Sequence, residues 1–492
     1  MRIISARAIV IVASLAGTFF GMAADRPNVL AIAIDDLNDW VGVLEGHPLA
    51  RTPHIDALAK RGTVFLNAHC QAPLCNPSRT SVLLGRRPST TGIYGLKPWF
   101  RDVEDLQDSV TLPAYFARHG YHTFGVGKVF HSRFGFREGD EEFHQTGPTY
   151  DDGPFPQKRM TALPGRPSKG NDWGPVAGPD ERRGDWKIAS WAIDQLEKQP
   201  SGPFFLSVGI RLPHLPLFAP PKWFDRFPEQ QVDLLPRILD HDRNDTPRFS
   251  WYLHWNLPEY RLQPLRHRNE WRSKVRAYLA CVSFLDDQVG RILTALRKQG
   301  LEENTVVVLW SDHGYHLGEK EITGKNSLWE ESTRVPFIFA GPGVTPGGRC
   351  HEPVELLDLY PTLIELCGLP KNPQTEGHAL QPQLADARTK RTRPAITTAN
   401  PDNHSIRSRN YRYIQYADGS EEFYDHRKDP DEWHNLAGKA GYLELINEHK
   451  RWLPGKQVPL APGSKGRILE WQAGKAIWEG KEISAEAPIP GL

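Results

Sequence analysis

The chain has 492 residues, and its 60 Lys and Arg against 59 Asp and Glu leave a formal net charge of +1. That balance argues against a general nucleic-acid binder, which needs a strongly basic face, and the length excludes a disulfide-stapled mini-protein because a large core can be buried. Hydrophobic residues at 39 % and charged residues at 24 % are not the proportions of a disordered chain.

Residues 1–24 read as a secretory signal. Arg2 and Arg7 give the positive start, Ala8 begins a short apolar run that ends at Phe20, and Gly21, Ala23 and Ala24 are small enough for cleavage. The run falls short of the roughly 20 apolar residues that a membrane span needs. No cysteine follows it, so a lipid anchor is not indicated. The expectation is an exported protein with no membrane partner once the signal is cut: periplasmic or secreted, or lysosomal in a eukaryote. Glycosylation triplets at Asn244 and Asn403 carry little weight, because such triplets arise often by chance.

Short apolar runs then alternate with helix-like stretches. Strands are predicted at 29–34, 63–67, 121–126, 203–210, 305–310 and 335–340, and helices at 52–61, 110–119 and 185–198. The clearest helical period covers 271–299, where Tyr278, Val282, Leu285, Val289, Ile292 and Leu296 form one apolar face. Strands alternating with helices indicate an α/β fold with a largely parallel sheet. Residues 134–183 and 215–268 have no clear period and read as excursions over the sheet edge. The character changes after about residue 390. Alternation at 411–416, the turn pair Asp418-Gly419 and resumed alternation at 421–424 predict an antiparallel hairpin. The domains expected are therefore 25–390 and a smaller α+β subdomain over 391–492 with an antiparallel sheet.

Polar residues end four of these strands. The first runs into Asp35-Asp36, another into Gly127-Lys128 with His131 close behind, another into Pro213-His214, and another into Asp312-His313. Ligands of open α/β sheets bind outside the carboxyl ends of the strands. Singly, each pair has an ordinary explanation as a helix cap or a turn. Together they describe a site. Asp35, Asp36 and Asp312 would repel one another unless a cation sat among them, and oxygen ligands favour Ca²⁺ or Mg²⁺ over Zn²⁺. His313 can add a nitrogen ligand. Elsewhere, Pro77 suits the first turn of a helix, which places Cys75 just before a helix start, where an anion is favoured. Arg79, about one turn in, can fork onto an oxyanion.

Cys75-Asn76-Pro77-Ser78-Arg79, continuing to Leu83 and Gly85-Arg86, resembles the signature of type I sulfatases. The resemblance covers nearly the whole chain after the signal. It includes Asp35-Asp36, Gly127-Lys128, His214, Ser311-Asp312-His313-Gly314, Lys325, and near the carboxyl end Tyr424-Asp425, Asp429-Pro430 and Asn435-Leu436. The segments at 127–131 and 213–216, together with His313, are most similar to the iduronate-2-sulfatase branch and its bacterial relatives.

Membership implies an alkaline-phosphatase-like fold, with a mixed, mostly parallel sheet flanked by helices. It implies that Cys75 is oxidised to formylglycine (3-oxoalanine) by a formylglycine-generating enzyme, and that the aldehyde hydrate is the nucleophile. Asp35, Asp36, Asp312, His313 and an oxygen of modified Cys75 would hold one Ca²⁺. Arg79 and Lys128 would orient the hydrate, and His131 would help remove the proton that releases sulfate. His214 and Lys325 would clamp the sulfate, with His214 protonating the leaving oxygen. The implied substrate is a sulfated carbohydrate, with the 2-O-sulfated uronate of a glycosaminoglycan as the leading guess. Asp39, Trp40, Trp99, His316, Glu319, Trp329 and Glu330 are expected near the sugar. A phosphate- or phosphonate-ester hydrolase of the same superfamily, or a non-catalytic sulfated-glycan binding protein, are the alternatives. With Cys75 converted, Cys70, Cys281, Cys350 and Cys367 remain, an even number that permits pairing in an oxidising compartment without requiring it.

Overall fold

The computed structural model describes residues 26–137, 140–149, 153–161, 163, 170–231 and 236–491; the signal expected at 1–24 lies outside them. Among the described residues, no helix is long and apolar enough to cross a membrane.

Eight strands form the central sheet: β1 (Asn28–Ile34), β2 (Gly62–Phe65), β3 (His122–Gly127), β4 (Gln145–Thr146), β5 (Phe204–Ile210), β6 (Thr305–Ser311), β7 (Phe337–Ala340) and β8 (Gly348–Cys350). Their spatial order is β8-β2-β7-β6-β1-β5-β3-β4. Strand β7 runs against its neighbours β2 and β6, and the other neighbouring pairs are parallel.

The continuous apolar run of β1 follows from burial on both faces, as parallel sheets require. Leu30, Ile32 and Ile34 enter one core, while Val29, Ala31 and Ala33 enter the other. The first core is covered by α1 (Pro53–Arg61), α3 (Gly184–Glu197) and α4 (Trp271–Lys298), the second by α2 (Cys75–Leu84) and α5 (Leu359–Leu366). The apolar face predicted for α4 is wholly buried.

Helix α1 begins without a capping bond from its own Thr52 side chain. Asp286 of α4 supplies the acceptors instead, taking the N–H of His54 at 3.1 Å and of Ile55 at 2.8 Å. Burial pushes this carboxyl up to about 7. Asp286→Ala strands two helix-start donors, and the expected loss of about 1–3 kcal/mol is read from the urea midpoint.

Beyond the main sheet, β9 (Ala395–Thr398), β10 (His404–Arg407), β11 (Tyr411–Gln415) and β12 (Glu421–Asp425) form an antiparallel meander, with the predicted hairpin as its last pair. A three-stranded antiparallel sheet follows: β13 (Leu469–Gln472), β14 (Lys475–Trp478) and β15 (Lys481–Ile483). The two aperiodic excursions contain a pairing that period alone did not reveal, Trp173–Pro175 parallel to Leu217–Ala219. The four cysteines whose pairing was left open are all free and buried.

Candidate active site

Register brings the predicted polar pairs to one edge. Ile34 of β1 lies level with Ile210 of β5 and Ser311 of β6. Asp35 therefore donates its N–H to Ile210 O (3.1 Å), and Asp312 donates its own to Ile34 O (3.1 Å). Lys128, just past β3, donates to Gly209 O at 2.8 Å. A Cβ on Gly209 would meet the Lys128 backbone at 2.1 Å, so this approach needs glycine. Asp36 turns away with φ 62°, its carbonyl held by the Tyr278 hydroxyl of α4 at 2.8 Å.

Cys75 opens α2 rather than preceding it, and Pro77 lies in that helix's first turn. The Cys75 Sγ is 3.3 Å from Lys325 Nζ, 3.4 Å from His313 Nε2 and 3.7 Å from Lys128 Nζ. Burial pushes the thiol up, but Lys128, Lys325, His313 and His131 outweigh it and hold the group well below the ordinary thiol range. The surroundings favour an anion at this side chain. Arg79 sends Nε to Asp312 Oδ2 at 2.8 Å, Nη2 to Asp35 Oδ1 at 3.2 Å and Nη1 to Val129 O at 3.0 Å. Lys128 pairs with Asp35, and Lys325 with Asp36. Burial pushes Asp35 up, yet Lys128, His214 and Arg79 hold it far below the carboxylate range. Asp312 goes the other way: burial pushes it up to about 6 despite Arg79.

A carboxylate oxygen each from Asp35 and Asp36, the His313 Nε2 and the Cys75 Sγ all lie within 4.8 Å of one another. His313 Nδ1 donates to Gly314 O at 3.0 Å, which leaves Nε2 free for a ligand role. Two buried carboxylates and an imidazole suit a hard divalent cation, and an oxygen in place of the sulfur would suit it better. The donor set fits the implied ion. Asp312 borders this group with Oδ2 3.6 Å from His313 Nε2, and its oxygens already accept from Arg79, Asp36 N and His313 N.

His131 is half-buried, and its Nδ1 has no partner among the described residues. His214 is also half-buried. Its Nδ1 lies 2.6 Å from Leu215 O, a carbonyl that can only accept, so Nδ1 carries the proton and Nε2 is the free nitrogen. All the predicted catalytic and metal residues are thus gathered at one edge.

The residues expected near the sugar are engaged within the protein. Trp40, Trp99 and Trp329 are core residues at 1–2 % exposure, because each ring finds apolar or aromatic neighbours inside. His316 is buried against Ser327 Oγ, Asp39 pairs with Arg334, Glu319 accepts from Leu317 N, and Glu330 sits among arginines. Glu330, His426 and Glu432 form a second grouping of metal-type ligands. Their atoms are already engaged by Arg407, Arg412, the Glu330 N–H and one another, which makes the grouping an ion-pair network. Arg467, whose charge is felt at Cys75 and Asp36, and its partner Glu259 were not anticipated. Neither residue lies in a motif or beside one.

A family model described as Sulfatase matches residues 27–369. The chain belongs to the sulfatase family. A model for the N-sulphoglucosamine sulphohydrolase C-terminal region matches 318–458. The sulfatase is 40 % identical over 448 residues to a "Sulfatase" of Formosa agariphila, covering 87 % of each chain. It is 33 % identical over 405 residues to the iduronate 2-sulfatase of Homo sapiens, covering 71 % of this chain and 70 % of the relative. The structure of a 2-O GAG sulfatase superposes with a TM-score of 0.69 at 24 % identity, covering 87 % of this sulfatase and 91 % of that chain. Its fold is therefore alkaline-phosphatase-like, and its chemistry is hydrolysis of sulfuric esters.

Proposed function

We propose that this sulfatase is exported and releases sulfate from a sulfated glycan, with the 2-O-sulfated uronate of a glycosaminoglycan as its leading substrate. The observation that carries the chemistry is the convergence of Lys128, Lys325 and His313 on one buried side chain, Cys75, at a helix start. The sugar class is supported by the names of the human relative and of the 2-O GAG sulfatase neighbour.

After oxidation by a formylglycine-generating enzyme, Cys75 supplies the hydroxyl nucleophile that a thiol cannot replace, because a sulfated thiol would still need attack by water. Asp35, Asp36, Asp312 and His313 would hold Ca²⁺, which supplies charge stabilisation to a sulfate oxygen when bound. Lys128 and Arg79 offset negative charge around residue 75 and fix Asp35. Lys325 clamps the sulfate. His131 takes up a proton at its ring as sulfate leaves. His214, held through Nδ1, donates from Nε2 to the leaving oxygen when both ring nitrogens carry a proton.

Mass spectrometry of the peptide spanning Cys75, from protein made in its native host, is expected to show the aldehyde; unmodified thiol would count against the mechanism. Matched sulfate and phosphate esters of one alcohol are expected to favour sulfate, and the reverse preference would move the reading to phosphoryl or phosphonyl transfer. Chelation is expected to abolish turnover, with Ca²⁺ restoring it. It should also lower the melting temperature, because an ion that binds only the folded state stabilises it.

A further inference from the structure

A cavity of about 120 Å³ opens beside Lys325. Lys325 also touches Cys75, so one side chain joins the cavity to the reacting centre. Most of the cavity's polar walls are already engaged within the protein. His254 meets Arg243 Nη1 at Nε2 (3.2 Å) and Arg261 Nη1 at Nδ1 (3.0 Å). Arg261 is spent on His254, the Trp255 carbonyl and the Pro490 carbonyl. Thr323 Oγ1 donates to Tyr260 O and accepts from Lys274 Nζ. Lys325 gives two of its three protons to Asp36 and Cys75, and the third serves the sulfate.

Glu259 differs. Its side chain is 6 % exposed, and among the described residues its oxygens accept from one side-chain atom, Arg467 Nη2, at 3.0 and 3.3 Å. A carboxylate has about four acceptor sites, so acceptor capacity remains on the cavity wall. Its position is fixed. Arg467 grips Glu259 with Nη2 and sends Nη1 to Asn326 Oδ1 at 2.6 Å, next to Lys325 in sequence. The stem packs on Gly324, where an added Cβ would lie 2.9 Å from Glu259 Cγ and where φ is +104°.

Resting on the sulfatase reading above, we propose that Glu259 reads the leaving-group sugar by accepting a hydrogen bond from the hydroxyl vicinal to the scissile sulfate, and that Arg467 is the positioning residue that holds it there. Burial pushes the Glu259 carboxyl up, but Arg467 and Lys325 pull it below its ordinary value, so it is an acceptor only. A ring bearing a neighbouring hydroxyl therefore fits. A ring bearing a second sulfate at that position meets a buried negative charge. The uronate carboxylate must point away from this wall.

The test uses the methyl glycoside of a 2-O-sulfated hexuronate, its 3-deoxy analogue and its 2,3-di-O-sulfated analogue. For the unmodified sulfatase, kcat/KM is expected to fall at least about tenfold on the deoxy analogue and further on the disulfate, because a site built to bond a hydroxyl rejects what lacks it. In Glu259→Gln, whose amide can donate, the disulfate-to-monosulfate ratio is expected to rise at least about tenfold. Arg467→Lys should restore more of the hydroxyl preference than Arg467→Ala. Equal turnover of all three glycosides by the unmodified protein, or an unchanged ratio in Glu259→Gln, would overturn the assignment of Glu259. An aryl sulfate, whose alcohol has no vicinal hydroxyl, monitors the underlying reading separately. No release from any ester by the unmodified protein, the aryl sulfate included, would overturn both.

Discussion

Cys75→Ala is expected to lower sulfate release by roughly 10⁴-fold or more, the scale on which removal of a nucleophile acts. Cys75→Ser should match it unless the host oxidises serine at that position. The fold should survive, because Lys128 and Lys325 keep their partners Asp35 and Asp36 when the sulfur is gone. Thermal unfolding should therefore move little while release of sulfate from an aryl ester disappears. Cys281 gives the opposite control. It lies fully buried in the core on α4, where burial pushes its thiol well up, and no cation outweighs that. Cys281→Ala should cost packing energy and leave turnover in place. Wild-type-like turnover in Cys75→Ala would remove the nucleophile from the mechanism.

The contrast between these cysteines shows what a sequence can carry. The Cys75 motif was legible because helix-start chemistry is local: a proline in the first turn and an arginine one turn on. The strand-end pairs were legible because β1, β5 and β6 are apolar throughout and stop abruptly at charged residues. Parallel register then places Asp35 and Asp312 side by side without further information. Tryptophan was misread for the opposite reason. Nothing local tells a ring that faces a sugar from one that fills a core, and Trp40, Trp99 and Trp329 are core residues. Glu259 and Arg467 were invisible. Their pairing joins an aperiodic excursion to the turn before β13, 208 residues apart, and no local pattern encodes it.

Arg412→Ala is expected to be the most destabilising single change in the carboxyl-terminal half, by about 3–5 kcal/mol, because it leaves the buried carboxylate of Glu432 without its main partner. Arg412 lies on β11 at 0 % exposure. It pairs with Glu330 and Glu432, and also donates to Leu328 O at 2.9 Å and Ser405 Oγ at 2.6 Å. Glu330 and Leu328 precede β7, so this one guanidinium ties the meander to the segment that follows Lys325. Burial pushes the Glu432 carboxyl up, but Arg412 and His426 hold it at about 2, against an ordinary value of 4.5. A carboxyl depressed in the folded state adds stability that is fully present above its unfolded value. That stability is lost as pH falls from about 4.5 toward about 2. Urea unfolding at a series of pH values should therefore show the widest gap between the unmodified protein and Arg412→Ala near neutrality, narrowing below pH 4.5. Arg407 keeps Glu330 paired in the variant, so Glu432, left with His426, carries most of the loss. A gap that stays constant from pH 7 to pH 3 would mean that lost packing around the arginine stem, rather than the stranded charge, sets the cost.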